Sequence, residues 1–78
     1  MINKSGKVIL MWLAEHQLLT PTYAGLTHEL SGKLPAALFS VTVENLLRQG
    51  FIKHQDYRFS ITKEGMAALL AYTQAKEA

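Results

Sequence analysis

Three histidines are the only side chains in this sequence of 78 residues that could ligate a soft metal, because it contains no cysteine. His16 and His28 fall on different predicted helices and His54 on a predicted strand, with no paired spacing such as His-x-x-x-His. They read as ordinary, partly exposed histidines, and no metal site is expected. Catalysis finds as little support. There is no Gly-x-Ser-x-Gly run, and Gly6-Lys7 lacks the upstream glycine and the preceding strand of a phosphate-binding loop. Glu15 and Glu29 stand alone on predicted helices. Neither an enzyme nor a cofactor is expected. The chemistry that remains is that of binding. Ser40, Glu44, Asn45, Arg48 and Gln49 share the polar face of one predicted helix, and four cations, Lys33, Lys53, Arg58 and Lys63, lie before, within and after the segment that follows it.

The bulk composition bounds what can position these groups. A chain of this length makes a single domain, residues 1–78. Such a domain buries only about 60–65% of its unfolded surface, so its core is thin. Yet 49% of the residues are hydrophobic and 18% charged. More apolar surface exists than one thin core hides, and self-association is the expected remedy where neither disulfide nor zinc is available. The net charge of +2 and a pI near 9.1 permit nucleic-acid binding without demanding it, and no run of Lys or Arg occurs. Val8–Ala14 is an apolar run behind Lys4 and Lys7, too short to span a bilayer and followed by no small-x-small cleavage site. A cytoplasmic chain without membrane contact is expected.

The punctuation predicts four helices and a hairpin. Ser5 is the expected N-cap of a first helix from Gly6 to about Gln17. Its consecutive apolar residues Val8 to Leu13 surround the axis, so one side faces the core and the other needs a second partner. Leu18-Leu19-Thr20 suits a short extended segment, since the residue before Pro21 avoids the helical region. Thr22 then caps a second helix, Tyr23 to Leu30, with Tyr23, Leu26 and Leu30 on one face and Ser31-Gly32 ending it. Pro35 is expected at the first helical position of a third helix, and Gly50 just past its end. Leu38 or Phe39, Thr42 or Val43, Leu46 and Leu47 recur there at helical spacing. The period then changes to two. Phe51–His54 and Tyr57–Ile61 read as strands joined at Gln55-Asp56, with Tyr57, Phe59 and Ile61 inward and Arg58 and Ser60 outward. Thr62 caps a last helix, Lys63 to about Gln74, with Met66, Leu69, Leu70 and Tyr72 or Thr73 as its stripe.

Two local patterns are more specific than this order. Leu46-Leu47-Arg48-Gln49-Gly50-Phe51-Ile52 has the form Leu-x-x-x-Gly-apolar-Ile, and Phe59-Ser60-Ile61-Thr62-Lys63-Glu64-Gly65 alternates into Thr-x-x-Gly. Together with the first helix and Leu26-Thr27-His28-Glu29-Leu30, they resemble the winged helix-turn-helix domains of MarR-type and PadR-type regulators, from about Val8 to Leu70. The resemblance implies an α+β, mostly helical fold: three helices, a short β-hairpin wing and a C-terminal helix. It implies a DNA-binding transcriptional regulator acting as a small dimer, with the third helix in the major groove and the wing on the backbone. On that basis Ser40, Thr42, Glu44 and Asn45 are the base-contact candidates. Lys33, Lys53, Arg58 and Lys63 are the phosphate candidates, with Lys53 or Arg58 foremost. The terminal helices are expected to build the self-interface through Val8, Met11, Trp12, Leu69 and Tyr72, and the two-sided first helix supports this independently. Met11 and Trp12 read as core or interface and not as a ligand pocket, for which the domain is too small.

Two features favour an alternative. The hairpin is very short, and the third helix opens on the apolar Leu34-Pro35-Ala36-Ala37-Leu38. They favour a winged-helix module or accessory subunit that docks another protein through this surface, or through the first helix, without DNA.

Overall fold

The computed structural model describes residues 2–77. These residues form four helices and a two-stranded antiparallel sheet: α1 (Lys4–Glu15), α2 (Tyr23–Glu29), α3 (Ala36–Gln49), β1 (Ile52–Gln55), β2 (Arg58–Ile61) and α4 (Lys63–Glu77). The class is α+β and mostly helical, as expected. No helix among these residues is long and apolar enough to cross a membrane.

The core draws on every element up to β2. Ile9, Leu10 and Leu13 of α1 meet Leu26 of α2, Phe39, Val43 and Leu46 of α3, and Ile52 and Phe59 of the hairpin, all buried. Leu30 and Leu34 close the connection between α2 and α3. Ala68, Leu69 and Tyr72 of α4 lie half-buried against this cluster. The stripe of α4 is therefore rotated from the expected one: Met66 and Leu70 point outward, 41% and 58% exposed. At the start of this helix Gly65 lies against the Phe51 carbonyl.

Gly50 ends α3 in the left-handed conformation, φ 78°, where a side chain would be strained. The turn delivers Phe51, whose N–H donates to Leu46 O at 3.0 Å and whose carbonyl accepts from Thr62 N at 3.0 Å. The Thr62 hydroxyl donates to Gly50 O at 2.6 Å and accepts from Gly65 N at 3.0 Å. One threonine thus caps α4 and ties its start to the end of α3. In that position the third helical residue is often Glu, which closes a capping box. Here it is Gly65, because a β-carbon at 65 would overlap the Phe51 carbonyl. The two glycine patterns read in the sequence are the two halves of this clamp.

β1 and β2 pair Ile52 with Ile61, Lys53 with Ser60, His54 with Phe59 and Gln55 with Arg58. The turn is Asp56-Tyr57, one residue later than expected, and both residues have positive φ, 53° and 65°. That is the backbone a type I′ turn requires, and its handedness suits the strand twist. Tyr57 is consequently not an inward residue but 83% exposed. The expected extended segment also lies further on. Leu18 and Leu19 belong to a turn closed by Leu19 N donating to His16 O at 3.0 Å, and Leu18 is 97% exposed. Pro21 and Thr22 instead run beside β2: Phe59 N donates to Pro21 O at 2.8 Å, and Thr22 bridges Arg58.

Three helix starts answer to local chemistry. Asn3, not Ser5, caps α1, its side chain accepting from Gly6 N at 2.9 Å. Asn caps at least as well as Ser, and starting earlier carries Ile2 into the core. Thr22 caps α2 as expected. Pro35 is the N-cap of α3 and not its first helical residue, with ψ 146° and no side-chain cap bond. Its carbonyl already accepts from Phe39 N at 3.0 Å, the bond that opens the helix.

Candidate functional site

The polar residues expected on the third helix do not form one face. Thr42 is only 6% exposed and sits among the core residues of α3, which removes it from any surface contact. At 100° per residue it falls beside Phe39, Val43 and Leu46. Asn45 borders a small cleft with Ile2, Asn3 and Gln49, on the flank that faces the start of α1. Ser40 and Glu44 remain on the open side, one turn apart and exposed. Glu44 is not free there, since its carboxylate accepts from Arg48 Nη2 at 2.9 Å with both side chains about 70% exposed. The outermost line of the helix carries Ala37, Val41 and this compensated pair, so its net charge is zero.

The four candidate cations are exposed, and two of them lie on the hairpin. Lys33 precedes α3 and Lys63 opens α4, both at the surface. Lys53 and Arg58 share with Gln55 and Ser60 the face of the hairpin opposite Ile52 and Phe59, as the alternation and the register require. A shallow concavity of about 290 Å³ lies along it, bounded by Thr20, Lys53, Gln55, Arg58 and Ser60. The Arg58 guanidinium donates to Thr20 O at 3.1 Å. Together with the Phe59–Pro21 and Thr22–Arg58 contacts, this fastens the hairpin to the segment that leads into α2. Aromatic contacts continue the link inward, for Tyr23 of α2 meets Phe39 of α3 edge-on at 5.2 Å and Phe59 at 6.2 Å. None of these long-range ties carries a sequence signal beyond residue type.

The residues expected at a self-interface have work within the chain. Val8, Trp12, Leu69 and Tyr72 are half-buried against the chain's own core, and Met11 is half-buried on α1. Apolar surface is left over elsewhere: Ile2, Ala68, Ala71, Tyr72 and Ala75 line a groove of about 370 Å³ along α4. The histidines stay apart. His16 Nδ1 donates to Trp12 O at 2.8 Å and its ring stacks on the indole, while His54 stacks on Phe59 at 4.3 Å. No group of three metal-ligating side chains occurs among the described residues.

Set against protein-family models, curated proteins and solved structures, the chain gives no match.

Proposed function

We propose that this chain is a winged-helix domain that binds double-stranded DNA as a small dimer and regulates transcription in the cytoplasm, without catalytic activity. α2 and α3 form the helix-turn-helix, the hairpin is the wing, and two α3 helices about 34 Å apart face successive major grooves. The observation that carries the reading is the hairpin. It stands between α3 and α4, is fastened by Arg58 and Phe59 to the segment before α2, and presents Lys53 and Arg58 outward. Ser40 is the base-contact residue best placed on the open side of α3. The leftover apolar surface along α4, with Met66 and Leu70 exposed, supports self-association.

Fluorescence anisotropy with a random-sequence duplex tests it. Four phosphate contacts per protomer, from Lys33, Lys53, Arg58 and Lys63, make eight per dimer and give a salt slope near −7, or binding weaker by about four orders of magnitude at 200 mM than at 50 mM salt. Absence of binding at 50 mM overturns the proposal.

A second reading has its own support. Leu38 and Val41 on α3 are 49% and 57% exposed, and the Glu44–Arg48 pair neutralises that face. A helix so dressed suits an apolar protein surface, and in that reading Val41→Asp abolishes association with the partner.

A further inference from the structure

Tyr57 is the most conspicuous side chain that neither the fold nor the proposed duplex contact uses. Type I′ turns favour Asn-Gly because both central residues need positive φ. Here the second of them is a tyrosine at φ 65°, a conformation that L side chains with a bulky group avoid. Nothing in the chain compensates. The ring is 83% exposed, and among the described residues its side chain has neither a hydrogen-bond nor a ring partner. An aromatic ring kept on an unfavourable backbone, at the outermost point of a hairpin, is placed for something outside the molecule.

Its surroundings narrow the partner. Arg58 adjoins the tip and Lys53 lies two strand pairs behind it on the same outer face, where both suit phosphates. Asp56 at the apex opposes a phosphate at the tip itself, so the part of a nucleic acid that meets the tip is not its backbone. A base is the uncharged, planar part of a nucleic acid, and every base offers a π-face to stack on. α3 leaves room for such a contact to supply recognition, because its outermost positions, Ala37 and Val41, carry no hydrogen-bonding groups, and those of Glu44 and Arg48 are engaged with each other.

We infer that the hairpin tip is a stacking platform in which Tyr57 receives an unpaired base, so that the domain prefers DNA with a bulged base to fully paired duplex. This rests on the nucleic-acid reading above, and the test separates the two. Labelled duplexes of about 20 base pairs, fully paired or carrying one bulged thymine, are titrated by anisotropy at 50 mM salt. The wild type binds the bulged duplex about 5- to 100-fold more tightly. Tyr57→Phe retains that preference, because the ring and not the hydroxyl stacks. Tyr57→Ala loses it and binds paired duplex as the wild type does. Both variants, and Tyr57→Gly, melt no lower than the wild type, since the ring packs on nothing. Equal wild-type binding of the two duplexes, or a preference that survives Tyr57→Ala, overturns the inference alone. A drop in melting temperature for Tyr57→Gly also overturns it, by showing a packing role. No binding of either duplex overturns the DNA reading, and the inference with it.

Discussion

Replacing Gly65 by alanine probes the joint on which the whole C-terminal half depends. On an open helix the change would help, since alanine is favoured over glycine by about 1 kcal/mol. Here the new β-carbon meets the Phe51 carbonyl oxygen and lies within 2.9 Å of Ile61 Cγ1. The carbonyl must withdraw by more than about 1 Å to restore ordinary contact. It is not free to do so, because Phe51 is bonded at both ends of its backbone, to Leu46 O and to Thr62 N, each at 3.0 Å. A shift of that size breaks the Thr62–Phe51 bond and strains the bond from the Thr62 hydroxyl to Gly50 O, at about 1 kcal/mol each, and adds overpacking of about 1–3 kcal/mol. With the propensity gain subtracted, a net loss of about 2–4 kcal/mol follows. For a domain of this size that lowers Tm by about 10–30 °C. Thermal melts followed by far-ultraviolet circular dichroism measure it, with two other glycines as controls. Gly32→Ala has nothing within 4 Å and an unstrained φ, so it leaves Tm unchanged or slightly raised. Gly50→Ala also meets no atom within 4 Å but must hold φ 78°, which costs about 1 kcal/mol. The order Gly32 above Gly50 above Gly65 is the expected result. A Gly65→Ala variant that melts at or above the wild type would refute the close approach of α4 to Phe51.

Other perturbations read different parts of the molecule. Thr62→Ala removes both the α4 cap and the tie to Gly50, and destabilises by about 1–2 kcal/mol in urea titration. Leu10→Ala, at a fully buried site, costs about 2–5 kcal/mol, enough to leave a substantial unfolded fraction in a marginal domain by circular dichroism at 37 °C. Glu44→Ala changes stability by less than about 0.5 kcal/mol, because the pair is exposed, yet it frees Arg48 and removes an anion from α3, so DNA binding strengthens in anisotropy. Lys53→Ala and Arg58→Ala each reduce the salt slope by about one per protomer, or about two for the dimer. Light scattering at tens of micromolar gives a dimer mass, and a monomer mass there removes self-association from the proposed function.

Much of the architecture was legible in the sequence for reasons of local chemistry. The order of elements followed from the change of period between Gly50 and Phe51. The caps Thr22 and Thr62 and the left-handed Gly50 are set by interactions within a few residues, and those residue types do the same work in most contexts. What required the tertiary structure was phase and proximity. Helical spacing admits either Thr42 or Val43 to the core, and the packing of α1 against α3 admits both, so a candidate contact residue became a buried one. Apolar residues of α4 announce a stripe, but which way it turns follows from Ala68, Leu69 and Tyr72 packing on the core and from Gly65 lying against the Phe51 carbonyl. Asp56-Tyr57 lacks the glycine that marks a type I′ turn, so the register moved by one residue and Tyr57 passed from an inward position to the exposed tip. The tie between Arg58 and Thr20 joins residues 38 apart, and no local rule encodes such a distance. The sequence alone determined which elements form and in what order, because periodicity and caps are local, while several of their ends moved by one to three residues. Which faces they turn to one another, and therefore which side chains are left to meet a partner, was decided only by packing.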